Sequence, residues 1–168
     1  MAADRRIVMY SVAIKGSPLV AEVHEFVPPE LKKLTEDSAG GSFTSASYWV
    51  GLDKLAFTLK LSGVTRRTIS EVGLAFGKLC QIDVKISEVD RSETEYTMHH
   101  NMSGEILSVK EEQAIKKQSG SVVTISGECS IYKLTENGEV VYNINHETQE
   151  MDLGEGDLLA SHRSNIGL

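Results

Sequence analysis

Strict alternation of apolar and polar residues is the feature that most constrains this chain. Between positions 54 and 61 one phase is apolar (Leu55, Phe57, Leu59, Leu61) and the other is mainly polar (Lys54, Ala56, Thr58, Lys60). Since successive side chains of a β-strand point to opposite faces, the pattern predicts a strand with one buried face. Residues 80–86 and 95–102 alternate in the same way. The alternation predicts a mainly β chain.

Two hairpins are predicted from the positions of turn residues between strand-like runs. The first joins residues 8–14 to residues 19–27 around Gly16. The second joins residues 122–134 to residues 139–144 through Asn137 and Gly138. Asn-Gly favours a type I′ turn because both residues accept the positive φ that this turn requires. Pro28 and Pro29 end the first of these regions.

The apolar period changes from two to three or four after Thr65. Ile69, Val72 and Phe76 follow this longer spacing, which predicts a short helix to about Phe76, capped by Thr65 or Thr68. A closing helical turn is expected at residues 157–162. The predicted class is mainly β with a minor α component (α+β).

Residues 30–47 contain too few apolar positions to anchor them in a core. They are predicted to form a long protruding loop, and loops of this length are uncommon unless they are functional or become ordered against a partner. A loop that is merely mobile is an equal alternative. Residues 110–120 are predicted to form a second exposed loop, whose charged side chains are solvated.

Composition narrows the possible roles. A chain of 168 residues suits one domain, 1–168. The net charge of −7 disfavours binding to nucleic acid, specific or nonspecific, because contacts with phosphates require Lys and Arg.

No apolar run approaches the roughly 20 residues needed to span a bilayer, and no signal-type segment follows the first residues. We expect a cytosolic product that does not bind membranes.

No motif for catalysis, metal binding or a cofactor is expected to function here. His99 and His100 would point to opposite faces of a strand and cannot easily share one ion. The segment 154–157 lacks the Lys and the spacing of a phosphate-binding loop. His24, His146 and His162 have no recognisable nucleophile or orienting carboxylate, and Cys80 and Cys129 are interpreted as buried thiols.

The C-terminal third resembles the major tail tube protein of contractile-tailed phages of the P2 type and the related tubes of R-type bacteriocins. Residues 130–134, 137–144 and 162–168 carry the resemblance, the last as an Arg and an Asn followed by Ile-Gly-Leu at the end. Residues 29–33, Gly40-Gly41 and residues 51–53 resemble the family more loosely. Residues 29–31 contain one residue more than the family's usual step, and residues 79–102 have no family motif.

The resemblance implies a β-sandwich or barrel-like subunit with one flanking helix. Six subunits would close into a ring, and rings would stack into a conduit for DNA or a piercing rod, with no enzymatic activity. Implied partners are further copies of the chain, the tail sheath protein, baseplate and tail-terminator proteins, and the tape measure protein and transiting DNA in the lumen. The implied location is the virion tail, assembled in the host cytoplasm.

The resemblance also implies two groups of functional residues. Candidates for contacts between rings or subunits are Thr35, Glu36, Asp37, Gly40, Gly41, Phe43, His162, Arg163, Asn165, Ile166 and Leu168. Candidates for the lumen surface are Lys54, Thr58, Lys60, Gln81, Asp83, Lys85, Glu95, Thr97 and His99. The alternatives are a type VI secretion tube protein, which shares the ring-forming physics, a monomeric β-barrel binding module with an apolar pocket, and, last, an enzyme.

Overall fold

A computed structural model describes residues 4–18, 23–41, 43–63, 77–112 and 122–168. These residues form strands throughout and one short helix near the C-terminus. The elements are β1 (Arg6–Ile14), β2 (Ser17–Pro18), β3 (Val23–Val27), β4 (Lys33–Ser38), β5 (Ala46–Leu52), β6 (Leu55–Ser62), β7 (Leu79–Val89), β8 (Glu95–Glu111), β9 (Val122–Glu136), β10 (Glu139–Asn145), β11 (Glu150–Asp152) and α1 (Ala160–Asn165).

One antiparallel sheet of nine strands contains most of the described chain. Its main path runs β11-β10-β9-β8-β7-β1-β2, while β6 pairs with β9 and β3 pairs with β6. The long strand β9 therefore has β8 along one edge and two different strands along the other. Its N-terminal half pairs with β6 and its C-terminal half with β10. Over the described residues the sheet is open, with β1–β2 at one end and β11 at the other.

Two glycines allow the long strands to approach closely where the sheet bends. A Cβ added to Gly104 of β8 would lie 2.0 Å from the carbonyl oxygen of Glu128. A Cβ added to Gly127 of β9 would lie 2.5 Å from the carbonyl oxygen of Glu105 and 2.9 Å from the ring of Phe57. A β-bulge interrupts the β8–β9 register beside Gly104. Bulges and glycines in strands bend a sheet, and here they lie midway along its longest strand pair.

The core lies between β6 and the inward faces of β1, β7, β8 and β9. Its fully buried residues include Leu59, Leu61, Ile82, Val84 and Ile125, each at most 1% exposed. Burying an aliphatic side chain of this size contributes about 1.5–3 kcal/mol relative to leaving it in water. Burial of the alternating apolar side chains of β6 therefore stabilises its packing against the rest of the sheet.

Several predicted elements are confirmed. The apolar phases of residues 54–61, 80–86 and 95–102 face the core along β6, β7 and β8. Asn137 and Gly138 join β9 to β10 with φ values of 50° and 86°, as a type I′ turn requires. The protein has the mainly β fold class that the sequence predicts.

The predicted first hairpin is confirmed at its turn and wrong for residues 23–27, while residues 19–22 lie outside the described residues. Among the described residues β1 pairs with β2 through Ala13 and Ile14, and β3 pairs with β6 instead. Both sides of β6 consequently have a partner, β9 on one edge and β3 on the other. The strand-like run at residues 19–27 predicted a strand but could not identify its partner, which lies more than 30 residues along the chain.

The protruding segment contains a β-hairpin, where the sequence predicts a long loop over residues 30–47. β4 and β5 pair over residues 33–52 as a separate two-stranded sheet. All six residues of β4 are exposed, so core burial does not explain their order. Their order comes from the ladder of backbone hydrogen bonds between the two strands.

Of three further predictions, two fall wholly or mostly on residues that the structure does not describe, and one can be compared with it. The helix predicted between Thr65 and Phe76 lies outside the described residues, as do most of residues 110–120, whose first two residues end β8. The closing helical turn is present but begins at Ala160, three residues later than the predicted start.

Candidate assembly surfaces

A hydrogen-bonded polar network centred on Asp83 lies on the outer face of β7 and β8. The Asp83 carboxylate accepts hydrogen bonds from the side-chain amides of Asn101 and Gln81 and lies 3.1 Å from His99 Nε2. The cross-strand register places Asp83 opposite Asn101 and Lys85 opposite His99. These side chains share one face because alternate residues of paired strands project to the same side of a sheet.

This outer face extends along β8 to the β9–β10 turn. Thr97 lies two residues before His99, and its N–H donates to Asn137 Oδ1 at 2.8 Å while its carbonyl accepts from the Asn137 N–H at 2.8 Å. Glu95 begins β8 opposite Val89. On this face, contacts with Asp83 therefore join the side chains of Gln81, His99 and Asn101, and the backbone of Thr97 is bonded to Asn137.

A second polar area lies on the outer side of β6. Lys60 forms an ion pair of 2.9 Å with Glu112, and Thr58 lies opposite Ser126 of β9. Lys54, just before β6, forms an ion pair of 2.9 Å with Glu128. Both lysines are thus neutralised by carboxylates of the same chain.

The nine predicted lumen residues therefore fall in two areas. Six lie on the outer face of β7 and β8, namely Gln81, Asp83, Lys85, Glu95, Thr97 and His99. The other three, Lys54, Thr58 and Lys60, lie on or beside β6, which pairs with the other half of the β8–β9 hairpin. A shared polar phase in the sequence did not reveal this separation, because it depends on which strands pair.

The β4–β5 hairpin carries an unusual amount of exposed apolar surface. Five of its large side chains are at least 43% exposed: Leu34, Phe43, Tyr48, Trp49 and Val50. Thr35 pairs with Trp49, Glu36 with Tyr48, and Asp37 with Ser47. Gly40 and Gly41 make the turn with φ of 33° and 80°. A two-stranded hairpin is at best marginally stable alone, and exposed apolar surfaces of this kind are typical of contact sites.

The C-terminal segment is tied to the body by Asp157. Its carboxylate accepts hydrogen bonds from Arg163 of α1 and from the backbone N–H groups of Met151 and Leu159. These contacts, with the Arg163 bond the largest, lower the pKa of Asp157 to about 2. Arg163 also donates to the carbonyl oxygen of Gln149 at 2.8 Å. Among the predicted contact residues, Arg163 is therefore already used within its own chain.

The other residues of the terminal motif project into solvent. Ile166 is 73% exposed and Leu168 is 75% exposed, and His162 and Asn165 are exposed as well. The backbone N–H of Leu168 donates to the carbonyl oxygen of Arg163. The tail thus has an ordered backbone and two large apolar side chains with little cover in the described structure.

An open edge of the main sheet lies along β1. This strand pairs with β7 on one side, and on the other side the described residues contribute only the two pairs with β2. Ile7, Val8 and Met9 beside this edge are 57%, 56% and 65% exposed. Unpaired backbone groups on an exposed edge are a template for pairing with another chain.

An apolar groove that the sequence analysis missed lies beside the base of the β4–β5 hairpin. It measures about 480 Å³ and is lined by apolar side chains of six strands, namely Leu52, Leu55, Leu79, Leu107, Cys129 and Ile144. Burial raises the pKa of the Cys129 thiol to about 12, so this cysteine is unreactive. The only sequence signal was that Leu79 and Leu107 are large apolar residues on the polar phase of their strands.

The two adjacent histidines have separate environments. His99 lies on the outer face beside Asp83, whereas His100 is 6% exposed in the core. His100 Nδ1 lies 3.0 Å from the Tyr132 hydroxyl, and its ring meets Phe26 edge-on. Within the described residues, no cluster of three or more His, Cys, Asp or Glu side chains could hold a metal ion. In the same part of the chain, no helix is long and apolar enough to cross a membrane.

The sequence matches the profile of the family described as phage tail tube protein FII over residues 4–167. The chain belongs to the phage tail tube protein family. This membership confirms the resemblance deduced from the terminal motifs and makes the chain a structural component of a phage-type tail, not an enzyme. Comparison with curated protein sequences finds no significant match.

Solved structures confirm the fold. A chain in the sheath/tube terminator structure of an extracellular contractile injection system, PVC, has a TM-score of 0.57 at 13% identity, covering 77% of this chain and 95% of its own. A chain in the PVC sheath-tube complex has a TM-score of 0.56 at 14% identity, covering 76% and 88%. Hcp1 from Salmonella typhimurium has a TM-score of 0.52 at 11% identity, covering 86% and 100%.

Proposed function

We propose that six copies of this chain close into a ring and that the rings stack into the inner tube of a contractile tail. The observation that carries the proposal is family membership over residues 4–167. The tube serves as a conduit for DNA or as a piercing rod. The whole chain, 1–168, acts as one domain in this assembly.

The open edge of the sheet supports ring closure. An exposed β1 edge flanked by Ile7, Val8 and Met9 is a liability for a monomer, because it invites uncontrolled strand pairing. Pairing between copies removes the edge, and a head-to-tail interface that closes by rotation gives a ring. The ring therefore satisfies backbone groups of β1 that the described part of a single copy leaves unpaired.

The outer face around Asp83 is the part of the surface best suited to line the lumen. It lies on strands between the two open ends of the main sheet, so a sheet continued through neighbouring copies would include it. The Asp83 carboxylate and the side-chain amides of Asn101 and Gln81 present no cation to a phosphate, and Asp83 places a negative charge on the face that also contains Lys85. Gln81, Asp83, Lys85, Glu95, Thr97 and His99 then face the bore, and Lys54, Thr58 and Lys60 lie elsewhere.

The partners that follow from a tube are the tail sheath around it, the baseplate and the tail-terminator proteins at its two ends, and the tape measure protein and DNA inside. Assembly would take place in the cytoplasm of the host before release in the virion tail. The exposed hairpin β4–β5 and the tail residues Ile166 and Leu168 supply contacts between copies.

Electron microscopy of the purified, concentrated protein tests the proposal directly. We expect rings about the size of six subunits, or hollow tubes, together with sedimentation that depends on protein concentration. A particle that remains a single chain over a wide range of concentration and salt would overturn the proposal.

A further inference from the structure

The turn between β9 and β10 contains a reactive pair of groups that the proposed function does not use. Asn137 has a side-chain amide, and the backbone nitrogen of Gly138 follows it. A backbone nitrogen in this position can attack the side-chain carbonyl carbon of the preceding Asn, which is the first step of deamidation. Glycine hinders this attack least, because it has no Cβ. The other four asparagines of the chain all precede larger residues, and both turn residues are exposed.

The native turn holds the two groups apart. Asn137 has a φ of 50° and Gly138 has a φ of 86°, as in a type I′ turn. The first central residue of such a turn has a ψ of about +30°. At this ψ the Gly138 nitrogen is turned away from the Cβ of Asn137, so the side-chain carbonyl carbon is out of its reach. The folded turn therefore disfavours ring closure.

A reciprocal pair of hydrogen bonds with β8 fixes this arrangement. The Thr97 N–H donates to Asn137 Oδ1 at 2.8 Å, and the Asn137 N–H donates to the Thr97 carbonyl oxygen at 2.8 Å. The first bond orients the carbonyl group that would be attacked. The side chain of Asn137 therefore cannot rotate towards Gly138 without losing its bond to Thr97.

Arg5 holds the strand ends on which this hydrogen-bonded pair depends. Its guanidinium pairs with the carboxylate of Glu136, the residue before Asn137. It also lies 3.7 Å from the centroid of the Tyr96 ring, the residue before Thr97. Loss of the Arg5 side chain should therefore raise the frequency with which the turn separates from β8.

We propose that Asn137 is a self-modifying residue, and that its contact with Thr97 controls the reaction. When the contact opens, the Gly138 nitrogen forms a bond to Asn137 Cγ and the Cγ–Nδ2 bond breaks. The side-chain NH₂ leaves as ammonia with the proton from the Gly138 N–H. Water then opens the resulting succinimide at either of its two carbonyls, which leaves an aspartyl or an isoaspartyl residue. The only co-reactant is water.

The reaction changes the turn permanently. Either product adds a carboxylate beside Glu136 and Glu139, which pair with each other at the base of the turn, and like charges this close repel. The isoaspartyl product also lengthens the backbone by a carbon, which is incompatible with a two-residue type I′ turn. A modified chain is thus marked irreversibly as one whose turn has separated from β8.

Peptide mapping of the full chain tests this site. The folded protein and the same protein in urea are incubated at mildly alkaline pH, and the Asn, Asp and isoaspartyl peptides are separated by liquid chromatography and mass spectrometry. We expect conversion of Asn137 at least about tenfold faster in urea, because only the open turn can react in the folded protein. Asn143, which precedes Ile144, is the internal control. Equal rates in the two states, or no preference for Asn137 over Asn143 in urea, would overturn the proposal.

A second measurement tests control by Thr97. Conversion of Asn137 and exchange of its amide hydrogen are followed together in wild type, Arg5→Gln and the control Lys54→Gln, which breaks an ion pair with Glu128, at several urea concentrations below unfolding. The same opening exposes both groups, since this N–H is bonded to the Thr97 carbonyl oxygen. The two rates should therefore rise together. Conversion that stays constant while exchange rises, or rises while exchange stays constant, would overturn this control.

Discussion

Gly104 of β8 and Gly127 of β9 lie where the opposite strand leaves no room for a side chain. Each would place a Cβ well inside contact distance of the opposite backbone, so the close approach requires the absence of a side chain. A bulge interrupts the β8–β9 register beside Gly104, and bulges bend strands. Next to it, Gly127 pairs with Phe57 of β6, which is part of the core. Glycine at positions 104 and 127 is therefore required for the packing of β8 against β9.

Gly104→Ala is expected to destabilise the subunit by at least about 3 kcal/mol, at the upper end of the cost of overpacking. The reason is the 2.0 Å approach to the Glu128 carbonyl oxygen, which is backbone and cannot rotate away. Chemical unfolding monitored by circular dichroism measures the change. Gly51→Ala is the control, because its added methyl would meet nothing within 4 Å and should stay within about 0.5 kcal/mol. Equal stability of the two variants would contradict the packing argument.

His100 is a polar residue held in an otherwise apolar core. Its ring nitrogen lies 3.0 Å from the Tyr132 hydroxyl, which satisfies one of its two hydrogen-bonding positions. Burial, with a smaller contribution from neighbouring His99, lowers the pKa of His100 from 6.5 to about 4. Burial likewise raises the pKa of Tyr132 to about 12. Both groups are neutral in the folded protein near neutral pH.

Acidification should therefore destabilise the subunit through His100. Since its folded pKa lies below the unfolded value, the unfolded chain binds the extra proton, and stability falls as pH drops from about 6.5 towards about 4. The slope from this one group approaches about 1.4 kcal/mol per pH unit. Urea unfolding across this pH range measures it, with His100→Gln as the variant that lacks the titrating group. An unchanged slope in His100→Gln would contradict this origin.

Among the elements, the C-terminal helix shows how a short segment of six residues stays ordered. α1 has no buried residue and no side-chain cap. Its attachment depends on Asp157, which joins Arg163 to the backbone of β11 and of the segment before α1. The helix is therefore held by polar contacts, those of Asp157 together with the bond from Arg163 to the Gln149 carbonyl oxygen, and not by burial of its own residues.

Asp157→Asn should release this tail without unfolding the sheet, because the amide cannot form the ion pair with Arg163. We expect faster amide hydrogen exchange at Ile166 and Leu168 and earlier proteolysis near the C-terminus. In the native protein the attachment should persist above about pH 3.8 and be lost as pH falls through about 2, since the folded pKa of Asp157 is lowered. Lys54→Gln breaks a different surface ion pair and should leave exchange at the tail unchanged.

At the scale of the whole molecule, the exposed surfaces are better explained by assembly than by a monomer. An open β1 edge, an apolar hairpin, an apolar groove and an apolar tail are exposed on one chain of 168 residues. Monomeric proteins rarely expose large apolar patches. Contacts with neighbouring copies of the same chain can cover all four of these surfaces.

Deletion of residues 165–168 should impair tube formation far more than folding. The deleted residues include Ile166 and Leu168, which are largely exposed in the subunit and gain cover only from another copy. Tube yield by sedimentation and electron microscopy should fall, while the thermal unfolding midpoint should change little. A normal tube yield would show that the terminal motif does not lie at a contact.

The sequence by itself determined the mainly β class, the buried phase of β6, β7 and β8, the Asn137-Gly138 turn and the family. These depend on period-two alternation, on local φ preferences and on short motifs, which are all properties of neighbouring residues. Only the tertiary structure decided that β3 pairs with β6, that the lumen candidates separate into two areas, and that Leu79 and Leu107 line one groove. Those features depend on which distant strands pair and on the register shift beside Gly104. The sequence could not show them, because the alternation along a strand is the same whichever strand it pairs with.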